Sequence, residues 1–232
     1  MTQQSSSHAS TAGHHHPKYL AHHFESMAQQ NASGKLGMWL FLGQEVLFFS
    51  GLFLAYVLAR IFYPETFLAA HELLDWKLGA LNTIFLLTSS LTMALAVRGA
   101  QINSKPAMFY NILATLILGG AFMVVKYFEY SHKFHDGLLP GHFFDAAKAM
   151  HNGQPANIPG APAIFFAIYF TMTGTHGLHV LIGMGLMLWL LVRINRGDFN
   201  SENHVYLENV GLYWHIVDLI WIFLFPLLYL VR

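Results

Sequence analysis

Five long apolar segments alternate with polar stretches along the chain. They cover residues 36–59, 78–97, 107–127, 163–192 and 210–231. Each is close to or above the ~20 residues that a helix needs to cross a bilayer. Backbone polar groups cannot stay unpaired in hydrocarbon, so a helix is the natural form of such a segment. The pattern predicts an all-α, polytopic membrane helix bundle with five transmembrane helices over residues 36–232.

The remaining stretches are polar and contain many turn-forming residues. Residues 1–35 are rich in Ser, Gln and His and lack the apolar core of a signal peptide, so we predict an uncleaved polar tail. We interpret the histidines at 14–16 as part of this low-complexity tail rather than as a metal site. Three connections between spans are short. The long one, residues 131–162, carries Pro and Gly in a pattern typical of turns rather than of a domain.

Composition supports the membrane interpretation and narrows the chemistry. Hydrophobic residues make up 55% of the chain and charged residues only 10%, which is typical of an integral membrane protein. Lys plus Arg and Asp plus Glu each number 12, so no basic surface for nucleic acid is predicted. The chain has no Cys, which excludes disulfides, thiolate metal sites and Cys-attached haem.

The distribution of basic residues predicts the orientation. With a cytoplasmic N-terminus the inner segments hold Lys18, Lys35, Arg98, Lys105, Arg193 and Arg196, and the outer segments hold Arg60, Lys77, Lys133, Lys148 and Arg232. Cytoplasmic segments generally carry the excess of Lys and Arg. The small inner excess favours a cytoplasmic N-terminus, a C-terminus on the opposite side, and an outer position for the long connection.

Five ionisable residues lie well within the predicted spans: Glu45, His176, His179, His215 and Asp218. At ~1.5 Å of helical rise per residue, Glu45, His179 and Asp218 all lie roughly 12–20 Å from the inner boundary of the membrane. His215 lies slightly shallower. Residues of three helices at a common depth can satisfy one another, so we expect a buried polar cluster.

The spacing leaves the role of this cluster open between structural locking, which it favours, and a proton relay. A metal site is a weaker alternative, in which His176 and His179 share one helix face and His215 with Asp218 complete a tetrahedral set. The His pattern of a di-haem core is not found. Glycines at 174, 177, 183 and 185 allow close helix approach, either within the bundle or to another subunit.

Several motifs in order resemble cytochrome c oxidase subunit III. The run THGLHVLIG (175–183) resembles its histidine-bearing helix, and ENVGLYWHIVDLIWIFLF (208–225) carries its E…YWHxVDxxW pattern. GMWLFLGQEVLFFSGLFLAY (37–56) is similar to the helix with its buried glutamate, here Glu45. LNTIFLLTSS (81–90) and the residues from Glu129 to the HDG at 135–137 match further parts. The resemblance covers nearly the whole chain after residue 35.

The resemblance implies a non-redox subunit of a haem-copper terminal oxidase. Haem and copper are expected in partner subunits I and II, and electrons are expected from cytochrome c through those subunits. Subunit III would pack on subunit I, bind phospholipid and support proton uptake. The mitochondrial form is similar to a seven-helix protein, whereas the five spans here resemble short bacterial subunits. Those occur in both cytochrome c and quinol oxidases, and a related protein accompanies some nitric oxide reductases.

The resemblance also assigns expected roles to three residues near the inner surface. Arg193 matches a basic residue that meets a lipid phosphate, and His204 with Glu208 match a polar pair near the proton-entry surface. The expected location is a bacterial inner membrane, with the C-terminus in the periplasm. Two alternatives from other classes are a free-standing proton-coupled transporter using the buried cluster and a haem b electron carrier. The chain shows neither an internal repeat nor a pair of broken helices, which disfavours the transporter.

Overall fold

The computed structural model describes residues 22–140, 150–151, 154–155, 158–199 and 203–230. Its helices are α1 (Met27–Phe62), α2 (Pro64–Ala70), α3 (Trp76–Gln101), α4 (Lys105–His135), α5 (Pro162–Arg196) and α6 (Val205–Phe225). A 3₁₀ turn (His71–Leu73) follows α2, and a π-helical turn (Pro226–Leu230) continues α6. Within these ranges, all helices except α2 are long and apolar enough to cross a membrane, so the predicted all-α class is confirmed.

Local capping, rather than the edge of the apolar run, sets where the helices begin and end. The Ser26 hydroxyl accepts a hydrogen bond from the Gln29 amide at 3.2 Å and starts α1 nine residues before the predicted span at 36. Asp75 caps α3 in the same way, and α4 and α5 have Pro at the start of their first turn. Gly197, with φ of 80°, ends α5 in the left-handed conformation that suits glycine. The helices therefore project beyond the apolar segments.

The connection between α1 and α3 contains ordered structure that hydropathy does not reveal. The short helix α2 buries Thr66 and Phe67. The Thr66 hydroxyl donates to the Pro159 carbonyl at 2.7 Å, and the Phe67 ring lies edge-on to Phe165 with centroids 5.1 Å apart. Through these two contacts, α2 packs the end of α1 against the start of α5. In the long connection, Met150–His151 pairs antiparallel with Gln154–Pro155.

Helix α6 occupies the centre of the bundle and α1 lies at its edge. In the most apolar window of the span formed by α6 and its π-helical turn, 50% of residues are buried, against 17% for α1. Trp214 of α6 packs on Gly119 of α4 and Gly183 of α5, where an added Cβ would lie 2.9 and 2.8 Å from the indole. Small residues on α4 and α5 therefore let the central tryptophan approach their backbones.

The alternation of the five spans gives the bundle two ends. One end contains the starts of α1, α4 and α6 and the ends of α3 and α5, and we call it the Glu208 end. The opposite end contains Glu129, the C-terminal turn and α2, and we call it the Glu129 end. The layer of Trp214 and Trp221 lies between them, and both indoles donate to hydroxyls of α3, on Ser89 and Thr83.

Candidate functional site

Glu45 of α1 and His179 of α5 lie together inside the bundle. The His179 Nε2 atom is 3.1 Å from Glu45 Oε2, and Glu45 is 7% exposed. The rings of Phe48 and Phe49 flank the imidazole, with centroids 6.2 and 5.2 Å away. The pair therefore joins two helices through a polar contact in apolar surroundings, where charges interact strongly.

The hydrogen bonds of His179 indicate how many protons the Glu45–His179 pair carries. Its Nδ1 atom lies 2.8 Å from the Thr175 carbonyl, which can only accept, so Nδ1 carries a hydrogen. The close contact between Nε2 and Glu45 then requires one proton between the two groups, on either the imidazole or the carboxyl. The N–H direction is not well aligned with Glu45 Oε2, so the contact is a close approach of the imidazole and the carboxyl group rather than a well-formed hydrogen bond. One proton can move within the pair without changing its net charge.

His176 lies apart from this pair despite being only one turn away on α5. Its ring packs on Phe122 and Trp221, with centroids 5.5 and 5.2 Å apart, and neither ring nitrogen has a hydrogen-bond partner among the described residues. Within the described residues no group of three or more His, Asp or Glu side chains could hold a metal ion. The geometry therefore does not support the weaker alternative, a metal site. That site would use His176, His179, His215 and Asp218.

His215 and Asp218 of α6 form a second polar location, next to α3. The His215 Nδ1 atom and the Ser90 hydroxyl are 2.7 Å apart. Ser90 also neighbours Asp218, but neither carboxylate oxygen of this buried residue has a partner with hydrogen-bond geometry among the described residues. Asp218 has no ion pair with Glu45 or His179 in the same part of the chain. The prediction of a single polar cluster is therefore wrong for Asp218, because residues at one depth can point to different sides of their helices.

The Glu208 end carries a chain of three charged or ionisable groups. His204 Nε2 is 3.1 Å from one carboxylate oxygen of Glu208, and Lys35 Nζ is 3.2 Å from the other. The lysine comes from α1, so the contact links the first and last spans. Because its side chain is 54% exposed, this ion pair is open to water and screening.

Arg193 lies at the end of α5 within a ring of aromatic residues. Its Nε atom donates to Asp198 at 2.9 Å. The guanidinium carbon lies 5.0 Å from the ring centroid of Trp189, 5.1 Å from that of Phe199 and 5.4 Å from that of Tyr206. The side chain is therefore held in one orientation, with its Nε–H donor committed to Asp198.

A fully buried network at the Glu129 end is absent from the sequence-based prediction. Lys126 Nζ donates to Glu129 at 2.9 Å and to the Tyr229 hydroxyl at 2.8 Å, and the hydroxyls of Tyr169 and Tyr229 both donate to Glu129. Lys126 and Glu129 have side chains only 7% and 3% exposed. The signal for this network is the Lys-x-x-Glu spacing within an apolar run, which places both side chains on one face of α4.

Lys133 lies beside this network, and its predicted place in the long connection is wrong. Helix α4 continues to His135 and buries Lys133, whose Nζ donates to the Leu73 carbonyl at 3.1 Å. Its amine lies 5.7 Å from the centroid of the Tyr169 ring. A lysine can extend a helix beyond an apolar segment and still bury its amine where carbonyls and aromatic faces receive it.

This geometry defines a polytopic helix bundle with internal polar groups, and sequence comparison gives its family. The family model described as "Cytochrome c oxidase subunit III" matches residues 16–152 and 142–231. The chain belongs to the cytochrome c oxidase subunit III family, as its motifs predicted. It is a multi-pass membrane protein of the haem-copper oxidases.

Three relatives illustrate the range of the family. The chain is similar to "Cytochrome c oxidase subunit 3" of Bacillus sp. strain PS3, at 31% identity over 94% of this chain and 97% of the relative. "Probable quinol oxidase subunit 3" of Staphylococcus haemolyticus is 26% identical over 89% of this chain and 93% of its own length. "Heme-copper oxidase subunit I+III" of Aeropyrum pernix is 30% identical over 84% of this chain, which spans 22% of that longer protein.

Proposed function

We propose that this chain is the non-redox subunit III of an aerobic cytochrome c oxidase in a bacterial inner membrane. It packs on subunit I, stabilises it and supports its proton uptake, while subunits I and II carry haem and copper. The observation that carries the proposal is the buried contact between Glu45 and His179 in a chain of this family. That pair can exchange a proton and contains no group that transfers electrons.

The location of the polar groups supports a role in proton supply. Glu45 and His179 lie inside the spans, whereas His204, Glu208 and Lys35 lie at one end of the bundle. Imidazole and carboxyl groups exchange protons readily with water at an aqueous surface. With the predicted orientation, the His204–Glu208 pair lies on the cytoplasmic side, from which a proton-pumping oxidase takes its protons.

Arg193 is proposed to hold a phospholipid at the same end. Its guanidinium is oriented by Asp198 and by aromatic rings, and an oriented guanidinium suits a phosphate oxygen pair. Lipid retained after detergent purification is therefore expected to fall in Arg193→Ala. Arg196→Ala, in the same final turn of α5, is the matched control and is expected to retain the lipid. Equal retention in both variants would contradict the site.

Quinol is the second candidate electron donor. Relatives named quinol oxidase subunit 3 match at 26% and 28% identity over most of this chain, close to the 31% of the Bacillus cytochrome c oxidase relative. Donor choice belongs to the partner subunits. Oxygen consumption by the native complex with reduced cytochrome c, compared with a reduced quinol, distinguishes the two.

The proposed function is tested by purifying the chain with its native partners. An affinity tag at the N-terminus is expected to recover subunits with haem and copper absorbance and oxygen-reducing activity. The chain separated from them is expected to show no haem spectrum and no stoichiometric copper. Recovery of the chain alone with proton-coupled substrate transport, or stoichiometric haem on the separated chain, would overturn the proposal.

A further inference from the structure

Asp218 is a buried carboxyl group that forms no ion pair with any of the described residues. It is 2% exposed, and neither oxygen has a hydrogen-bond partner among the described residues. Aromatic and aliphatic neighbours on α6, such as Trp214 and Trp221, are buried beside it along the helix. An ionised carboxylate is strongly disfavoured in such surroundings, and a bound proton neutralises it most simply.

A polar route leads away from Asp218 through Ser90 and His215. The serine hydroxyl neighbours the carboxyl and lies 2.7 Å from His215 Nδ1. A hydroxyl can rotate, donating to one neighbour while accepting from another. If its hydroxyl turns towards the carboxyl, Ser90 can therefore pass a proton between Asp218 and His215.

His215 in turn lines a pocket that begins among the charged residues of the Glu208 end. We call it the Glu208 pocket; residues of α1, α3 and α6 line it, and Lys35, Glu208 and Asn209 form its polar part. Its volume of about 370 Å³ has room for several water molecules. The side-chain oxygen of Asn209 is buried without a protein partner, which is the kind of group that ordered water satisfies.

The dimensions of α6 connect the pocket to the buried acid. Glu208 and His215 are seven residues apart, which is about 10.5 Å along a helix, and Asp218 lies about 4.5 Å further. The spacing of seven and then three residues keeps all three on one stripe of α6. The pocket therefore covers most of the distance, and His215 with Ser90 covers the remainder.

We propose that Asp218 is a proton-binding site that exchanges with water at the Glu208 end through the Glu208 pocket, His215 and Ser90. A proton from pocket water binds the imidazole at Nε2, and the Nδ1 proton passes to the serine oxygen. The serine hydroxyl proton passes to the Asp218 carboxylate, which becomes a neutral acid. Reversal of these transfers returns the proton, so no electron and no other reactant is needed. This route is separate from the Glu45–His179 pair.

The Asp218 site adds a specific route to the proposed support of proton uptake. Only the use of this site by the oxidase rests on that proposed function. Its own test measures proton exchange at one carboxyl, whereas the proposed function is tested by the partners recovered with the chain. A purified complex with haem and copper but no exchanging proton on Asp218 would refute the site alone. An exchanging proton on a chain without oxidase partners would refute the function alone.

The test is infrared spectroscopy of the purified native complex during transfer from H₂O to D₂O. The wild-type minus Asp218→Asn spectrum is expected to contain the C=O band of a protonated carboxylic acid, and that band is expected to shift in D₂O. Ser90→Ala and His215→Phe are each expected to slow the shift roughly a hundredfold, the size of effect of a positioned proton-transfer group. Signals from other subunits cancel in the difference spectrum.

Control variants separate loss of the proton route from general effects of substitution in α3 and α6. Ser90→Thr retains a hydroxyl and is expected to exchange at the wild-type rate. Thr88→Val removes a hydroxyl that is exposed on α3 and bonded to its own helix, and is also expected to leave exchange unchanged. If Asp218→Asn does not assemble, Asp218→Glu retains an acid and is expected to displace the band. Absence of a carboxylic band in the difference spectrum, or unchanged exchange in Ser90→Ala and His215→Phe, would overturn the proposal.

Discussion

The two ends of the bundle contain ion pairs of the same chemistry in opposite environments. At the Glu129 end, Lys126 and Glu129 are 2.9 Å apart with almost no exposure, and Tyr169 and Tyr229 complete the bonds of the carboxylate. At the Glu208 end, Lys35 and Glu208 are 3.2 Å apart beside a pocket, with the lysine half exposed. A fully satisfied buried network fixes a structure, whereas exposed or unpaired groups remain free to exchange protons. We therefore propose that the Glu129 end locks the helices together and that proton exchange takes place on the side of the Glu208 end.

Breaking the buried ion pair is expected to give the largest effect. Lys126→Met leaves the Glu129 carboxylate buried without its cation and should cost about 3–5 kcal/mol of stability. The measurement is thermal release of this chain from the purified complex. Replacing Glu129 with Gln in the same chain should recover part of the loss, since no carboxylate is then left buried without its Lys126 partner. A Lys126→Met chain that is released at the wild-type temperature would contradict a locking role.

Removal of a single hydroxyl from the network is expected to have a smaller effect. Tyr229→Phe deletes the donor to Glu129 and the acceptor of the Lys126 bond, both of which involve charged groups, and should cost about 1.5–3 kcal/mol. Tyr213→Phe is the control, because its hydroxyl donates to the main-chain carbonyl of His179, and the change should cost about 0.5–1.5 kcal/mol. If the two variants lower the release temperature equally, the charged network adds nothing to an ordinary hydrogen bond.

The tryptophan layer between the two halves can be tested with a pair of glycines on α5. A Cβ at Gly183 would lie 2.8 Å from Trp214, so Gly183→Ala should overpack the layer and cost about 1–3 kcal/mol. At Gly185 nothing lies within 4 Å of an added Cβ, and Gly185→Ala should be neutral in this chain. Thermal release again gives the readout. A loss in Gly185→Ala as large as in Gly183→Ala would show a partner subunit covering that face.

The exposed ion pair is expected to give the smallest effect. Lys35→Met removes the partner of Glu208 at a water-accessible site and should cost at most about 1 kcal/mol. The same substitution at Lys126 is its matched comparison at the other end. A release temperature that falls as far in Lys35→Met as in Lys126→Met would erase the distinction between the two ends.

Hydropathy and spacing predicted the membrane architecture but only part of the polar interior. Each span is a long, mainly apolar run, so the helices follow from the sequence directly, and helical rise predicts one common depth for Glu45 and His179. Depth does not give the direction of a side chain around its helix, which is why Asp218 faces Ser90 instead of Glu45. Hydropathy does not predict the network at the Glu129 end, because the apolar run of the third span ends at residue 127, between Lys126 and Glu129. Helix α2 is too short to give a hydropathy signal.

The most direct measurement is the rate of proton uptake by the assembled oxidase carrying Glu45→Gln, during reaction with oxygen. Gln retains the shape of the side chain but cannot ionise, so we expect normal assembly, slower proton uptake and an unchanged rate of electron transfer from donor to haem. Glu129→Gln is measured in parallel and is expected to weaken retention of the chain without slowing proton uptake in the complexes that remain. Wild-type proton uptake in Glu45→Gln, or slowed electron transfer to haem before any proton step, would contradict the account.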